Sequence, residues 1–116
     1  MAKFILFYAD GPGQSPQIDA AAMEATIARY VAWGERIATA GHMLGGGRLS
    51  SIWTDPGRIV SSQGGAVLVV DGPFAETNEV VGGYAVIEAD SYDHAVDLCR
   101  DHPHIEHGHI IIREVL

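Results

Sequence analysis

Phe4, Ile5, Leu6, Phe7 and Tyr8 form a run in which both alternating sets of side chains are apolar. Successive side chains of a strand point to opposite faces, so this pattern belongs to a central strand covered on both sides. A chain of 116 residues has room for one domain, expected over residues 1–116. It can bury roughly two-thirds of its unfolded surface, enough for one core. The second cover for the strand is therefore expected from another copy of the chain.

The segment after this strand, Asp10-Gly11-Pro12-Gly13-Gln14-Ser15-Pro16, reads as a turn, with Ser15 and Asp19 as alternative helix N-caps. Met23, Ile27, Tyr30 or Val31, Gly34 and Ile37 recur at helical spacing and predict a helix from Asp19 to Ala40, ended by Gly41 in a left-handed conformation. Met43 to Leu49 reads as a Gly-rich edge, and Asp55-Pro56-Gly57 as a turn. Arg58–Ser62 and Ala66–Val70 predict a hairpin joined through Gln63-Gly64-Gly65. Val81–Ala89 is a further strand, and Ser91 caps a second helix with Ala95, Leu98 and Cys99 inward and Pro103 as its stop. Ile110–Val115 is the last strand. The fold class is α+β: a ferredoxin-like βαβ-βαβ plan with an extra β-hairpin, whose sheet has helices on one face only.

Fifteen acidic against seven basic residues give a net charge of −8. Nucleic-acid binding needs a basic surface that releases counterions, so DNA and RNA are excluded as partners. The same charge opposes an anionic membrane, and no apolar run approaches the roughly 20 residues of a bilayer-spanning helix. The first residues carry no signal-peptide pattern, and the single cysteine, Cys99, offers no intrachain disulfide. The expected location is the cytoplasm.

Asp71-Gly72-Pro73-Phe74-Ala75-Glu76-Thr77-Asn78-Glu79-Val80-Val81-Gly82-Gly83-Tyr84 resembles the signature of the DGPF branch of the YCII-related family. The likeness extends to Lys3-Phe4-Ile5-Leu6-Phe7, Tyr30-Val31-Ala32-Trp33, Glu88-Ala89-Asp90-Ser91 and Ile112-Arg113-Glu114-Val115. The resemblance implies a bacterial protein that forms a dimeric α+β barrel, two sheets packed face to face. It also implies an association with extracytoplasmic-function sigma factors. For the YCII branch the resemblance implies a His–Asp pair, one residue on the first helix and one after the second. Counting from Gly41 and from Pro103 places those positions on Tyr30 and His102. Neither residue of the pair is present, so that branch's acid–base chemistry does not carry over by position.

Asp71-Gly72-Pro73 reads first as a rigid corner, with Phe74 as a plug. A corner needs no Glu76, however, so Asp71 and Glu76 are candidate acid–base groups on a loop, with His102 as a third. Tyr30, Arg48, Gly82, Gly83 and Tyr84 are candidate ligand-binding residues. Arg48 suits a carboxylate, although an ion pair with an acidic neighbour is its commoner fate, and paired glycines mark a bulge or a close approach. His94, His102, His104, His107 and His109 crowd the C-terminal part. Around Pro103 their convergence is not built in as it is on one helix, so no metal site is expected. Cys99 reads as a buried structural thiol. No nucleotide loop, nucleophile elbow or organic-cofactor motif occurs. Two functions stay open: a non-catalytic ligand- or partner-binding regulatory module, favoured by the missing pair, and a small-molecule enzyme of lyase, isomerase or hydrolase type working in the DGPF cleft.

Overall fold

A computed structural model describes residues 1–10, 19–51, 54–71 and 80–116. Its elements, in chain order, are β1 (Ala2–Asp10), α1 (Ala20–Thr39), β2 (Met43–Arg48), β3 (Arg58–Gln63), β4 (Ala66–Asp71), β5 (Val80–Ala89), α2 (Tyr92–Cys99), a 3-10 turn (Pro103–Glu106) and β6 (His109–Val115). Four strands form an open antiparallel sheet in the order β2-β5-β1-β6, and β3 and β4 pair separately. The run apolar on both faces is thus a central strand, flanked by β5 (Phe4↔Ile87, Phe7↔Tyr84) and β6 (Lys3↔Val115, Ala9↔His109).

Alternation divides the sheet into two faces. Phe4, Leu6 and Tyr8 of β1 and Ala85, Ile87 and Ala89 of β5 are buried against Trp33 and Ile37 of α1 and Ala95 and Cys99 of α2. Ile5, Phe7, Tyr84, Val86 and Ile111 occupy the opposite face and stay half-buried. Both helices therefore cover one face, and the described residues leave the other partly open. None of the described helices is long and apolar enough to cross a membrane.

Of the two cap candidates for α1, Asp19 is the N-cap and accepts from the Ala22 amide at 2.7 Å; Ser15 lies outside the described residues. Gly41 follows the helix at φ 85°, the left-handed region that glycine enters without a Cβ penalty. The hairpin turns on Gly64 and Gly65, both at positive φ, as a two-residue primed turn requires. All twelve strand residues of the hairpin are exposed, Val60 and Val67 at 68% and 74%.

One helix boundary differs from the sequence expectation. Pro103 does not stop α2, which has already ended at Cys99; it opens the 3-10 turn instead. Proline's missing N–H costs nothing in a first turn, and its fixed φ suits that position.

Candidate functional site

The C-terminal end of β1, the middle of α1 and the 3-10 turn meet around Tyr30. Tyr30 shares a helix stripe with Trp33 and Ile37, one turn and two turns further on, which point into the core. His102 is the N-cap of the 3-10 turn: its Nδ1 accepts from the His104 amide at 3.0 Å. Side chains at i and i+3 eclipse in a 3-10 turn. His104 and His107 therefore lie on one side of it, with ring centroids 4.9 Å apart.

The Tyr30 hydroxyl sits between them, 2.6 Å from Nδ1 of His104 and 3.2 Å from Nε2 of His107. Nε2 of His104 lies 2.9 Å from the Ala9 carbonyl. A carbonyl only accepts, so Nε2 carries the proton and Nδ1 accepts from the tyrosine. The hydroxyl oxygen then accepts from His107, and the bonds run in one direction from His107 through Tyr30 and His104 to the backbone.

Asp10 closes the inner side. Its Oδ1 lies 3.7 Å from Nε2 of His104, is shielded from solvent, and has no hydrogen-bond donor among the described residues. Gly108 allows this approach. A Cβ there would stand 2.4 Å from Asp10 Oδ1, 2.5 Å from the Ala9 oxygen and 2.6 Å from His104 Nε2.

Burial sets the protonation states. It pushes the Tyr30 hydroxyl up to about 12; Asp10 and Glu106 act in the same sense and Arg29 against it. Burial likewise lowers His104, opposed by the Ala9 carbonyl and Asp10, and joined by His107 and His109. Near neutral pH the tyrosine is protonated and His104 is neutral. Outside the cluster, Arg29 pairs with both oxygens of Glu106, and Arg36 with Asp101 at 2.7 Å. A shallow cleft of about 220 Å³ lies between α1 and the turn, lined by Arg29, Ala32, Trp33, Arg36, Asp101 and Pro103.

The structure distributes the expected site residues widely. Tyr30's hydroxyl meets His104 and His107; His102 lies edge-on to its ring at 5.2 Å without a hydrogen bond to it. His102 is 1% exposed and packed against Tyr8 and Trp33, and its Nε2 has no polar partner among the described residues. Burial, with the neighbouring His104, lowers its pKa to about 4. Asp71 ends β4 and pairs with Arg58 at 3.2 Å on the exposed hairpin. Glu76 and Phe74 lie outside the described residues. Arg48 is exposed, pairs in register with Gly83, and makes no ion pair among the described residues. Gly82 is the extra residue of a bulge opposite Tyr8 and Ala9. Gly83 lies under Tyr8, where a Cβ would stand 3.1 Å from the ring and 3.2 Å from the Gly47 oxygen. Tyr84 pairs with Phe7 on the face away from the helices. Burial raises the Cys99 thiol to about 11, so it stays protonated.

Asp10 and Gly108 were not legible as site residues. The spacing His102-Pro103-His104, then His107-Gly108, carried the signal: proline at the first position of a turn places histidines three apart on one side.

Among proteins of known sequence, the chain is similar to an uncharacterised protein of Rhizobium meliloti (strain 1021), 49% identical over 37 residues. That match spans 32% of this chain and 30% of the relative. The model of the YCII-related domain matches residues 2–116, and the chain belongs to the YCII-related family.

Proposed function

We propose that this chain is a non-catalytic binding module that takes a small polar molecule at the Tyr30–His104–His107 cluster. The observation that carries this reading is the tyrosine hydroxyl held between two imidazoles at 2.6 and 3.2 Å. With the phenol protonated and His104 neutral, the cluster offers directed donors and acceptors but no strong base near neutral pH. A thermal-shift screen of small carboxylates, amides and alcohols in chelator-containing buffer tests it. Compounds that raise the melting temperature of the wild type but not of Tyr30→Phe support the reading; compounds that stabilise both proteins equally refute it.

The reading places the module in a homodimer of ferredoxin-like subunits. The order β2-β5-β1-β6 with both helices on one face supports that subunit plan. The half-buried apolar side chains of the other face, Ile5, Phe7, Val86 and Ile111, are what a second sheet would cover. An enzymatic alternative is favoured only by the 2.6 Å Tyr30–His104 bond, and would use that pair for proton transfer rather than Asp71 or His102.

A further inference from the structure

We infer that Asp10, His104 and His107 form a binding site for a first-row divalent metal ion of the zinc type. One ligand atom from each of the three lies within 4.8 Å of the others. Two imidazoles and a carboxylate are the donor set that such borderline ions take.

Three independent observations support it. First, Asp10 Oδ1 is out of solvent and has no donor among the described residues. A buried carboxylate oxygen left unpaired is costly, and a cation would satisfy it. Second, residue 108 has no side chain where a Cβ would collide with Asp10 Oδ1, the Ala9 oxygen and His104 Nε2 together. The inner wall is thus kept clear where the carboxylate and the imidazole approach to 3.7 Å. Third, the Tyr30 hydroxyl lies within hydrogen-bond reach of Nδ1 of His104 and Nε2 of His107, which leaves the other nitrogen of each ring for a metal. Metal-bound imidazoles donate their other N–H to an acceptor, and one hydroxyl oxygen can accept from both rings.

Loading requires a tautomer change at His104. The proton on Nε2, now given to the Ala9 carbonyl at 2.9 Å, moves to Nδ1 and is donated to Tyr30. The Tyr30 hydroxyl, which had donated to Nδ1, rotates its own proton away and accepts instead. Nε2 offers its lone pair along the former N–H direction, beside the Ala9 oxygen, and no net proton leaves the imidazole. Tyr30 is a positioning residue in this scheme and does not touch the ion.

The site uses the same cluster as the function proposed above but does not depend on any organic ligand, so the two can fail separately. The test is a titration of tag-free full chain with Co²⁺, followed by its visible d–d absorption and by calorimetry. One equivalent per chain is expected. Asp10→Asn and His107→Gln should abolish the absorption, whereas Tyr30→Phe should keep it with an affinity lower by about 10–100-fold. His107 is exposed, so its replacement leaves the core intact. Absence of Co²⁺ binding to the wild type would overturn the inference. So would equal binding by Asp10→Asn and His107→Gln, which would mark chelation at other histidines.

Discussion

Acidification from pH 7 to pH 4.5 is expected to destabilise the wild type more than a His102→Asn variant. His102 is 1% exposed, and its pKa is lowered from 6.5 to about 4, by burial first and then by His104, with Arg36 in the same sense and Asp101 opposing. The folded chain therefore binds this proton more weakly than the unfolded chain. Stability from the neutral ring is complete above about pH 6.5 and is lost as pH falls toward 4. A gap of roughly 2.5 units corresponds to at most ~3 kcal/mol, of which about 2 kcal/mol is gone by pH 4.5. Asparagine supplies an acceptor for the His104 amide that now bonds Nδ1 at 3.0 Å, and it does not titrate. Urea unfolding at the two pH values measures the difference. With a slope of ~1.5 kcal/mol/M, the wild-type midpoint should fall by roughly 1 M more than the variant's. His104 titrates in both proteins and largely cancels. Parallel shifts of the two midpoints would refute the argument that burial holds His102 neutral.

Gly108→Ala should cost about 1–3 kcal/mol, because the new methyl meets three polar atoms at 2.4–2.6 Å; melting measured by circular dichroism should fall by roughly 4–12 °C. Tyr30→Phe leaves His104 Nδ1 without its 2.6 Å donor and should cost about 1–2 kcal/mol in the same assay. Static light scattering at micromolar concentration should give twice the chain mass. Val86→Glu, which places a charge on the half-buried face away from the helices, should shift that mass toward the monomer; a wild-type monomer would remove the dimer from the proposal.

The order of elements along the chain and the two faces of the central strand were legible because periodicity survives in short segments. Phe4, Leu6 and Tyr8 form one apolar set, and Ile5 and Phe7 the other, and the sheet separates them in that way. Asp19 and Gly41 punctuate α1 by local chemistry that needs no tertiary information. The site was less legible, since its geometry depends on a long-range meeting. Tyr30 and His104 are 74 positions apart, and His104 and Ala9 are 95 apart. Position-counting pointed to His102 as Tyr30's counterpart, but the 3-10 turn rotates His102 into the core and presents His104 to the hydroxyl. Of the two structural roles that paired glycines signal, Gly82 takes the bulge, and at Gly83 the close approach is by β1 and β2.

The central position of β1 also sets an order of folding. Its partners are β5 and β6, and the register Lys3↔Val115 joins residues from opposite ends of this sequence. Such pairings are slow because a long loop must close before any contact rewards it. On a ribosome adding about 5–20 residues per second, roughly 4–14 s separate the appearance of β1 from that of β5. For that interval, a strand apolar on both faces has no sheet to join. The β3–β4 hairpin, closed by a two-residue turn, can pair within microseconds. A strand apolar on both faces is thus also among the last to be paired, and α1, which follows it in sequence and joins Leu6 and Tyr8 in one core cluster in the finished fold, is the earliest shelter available to it.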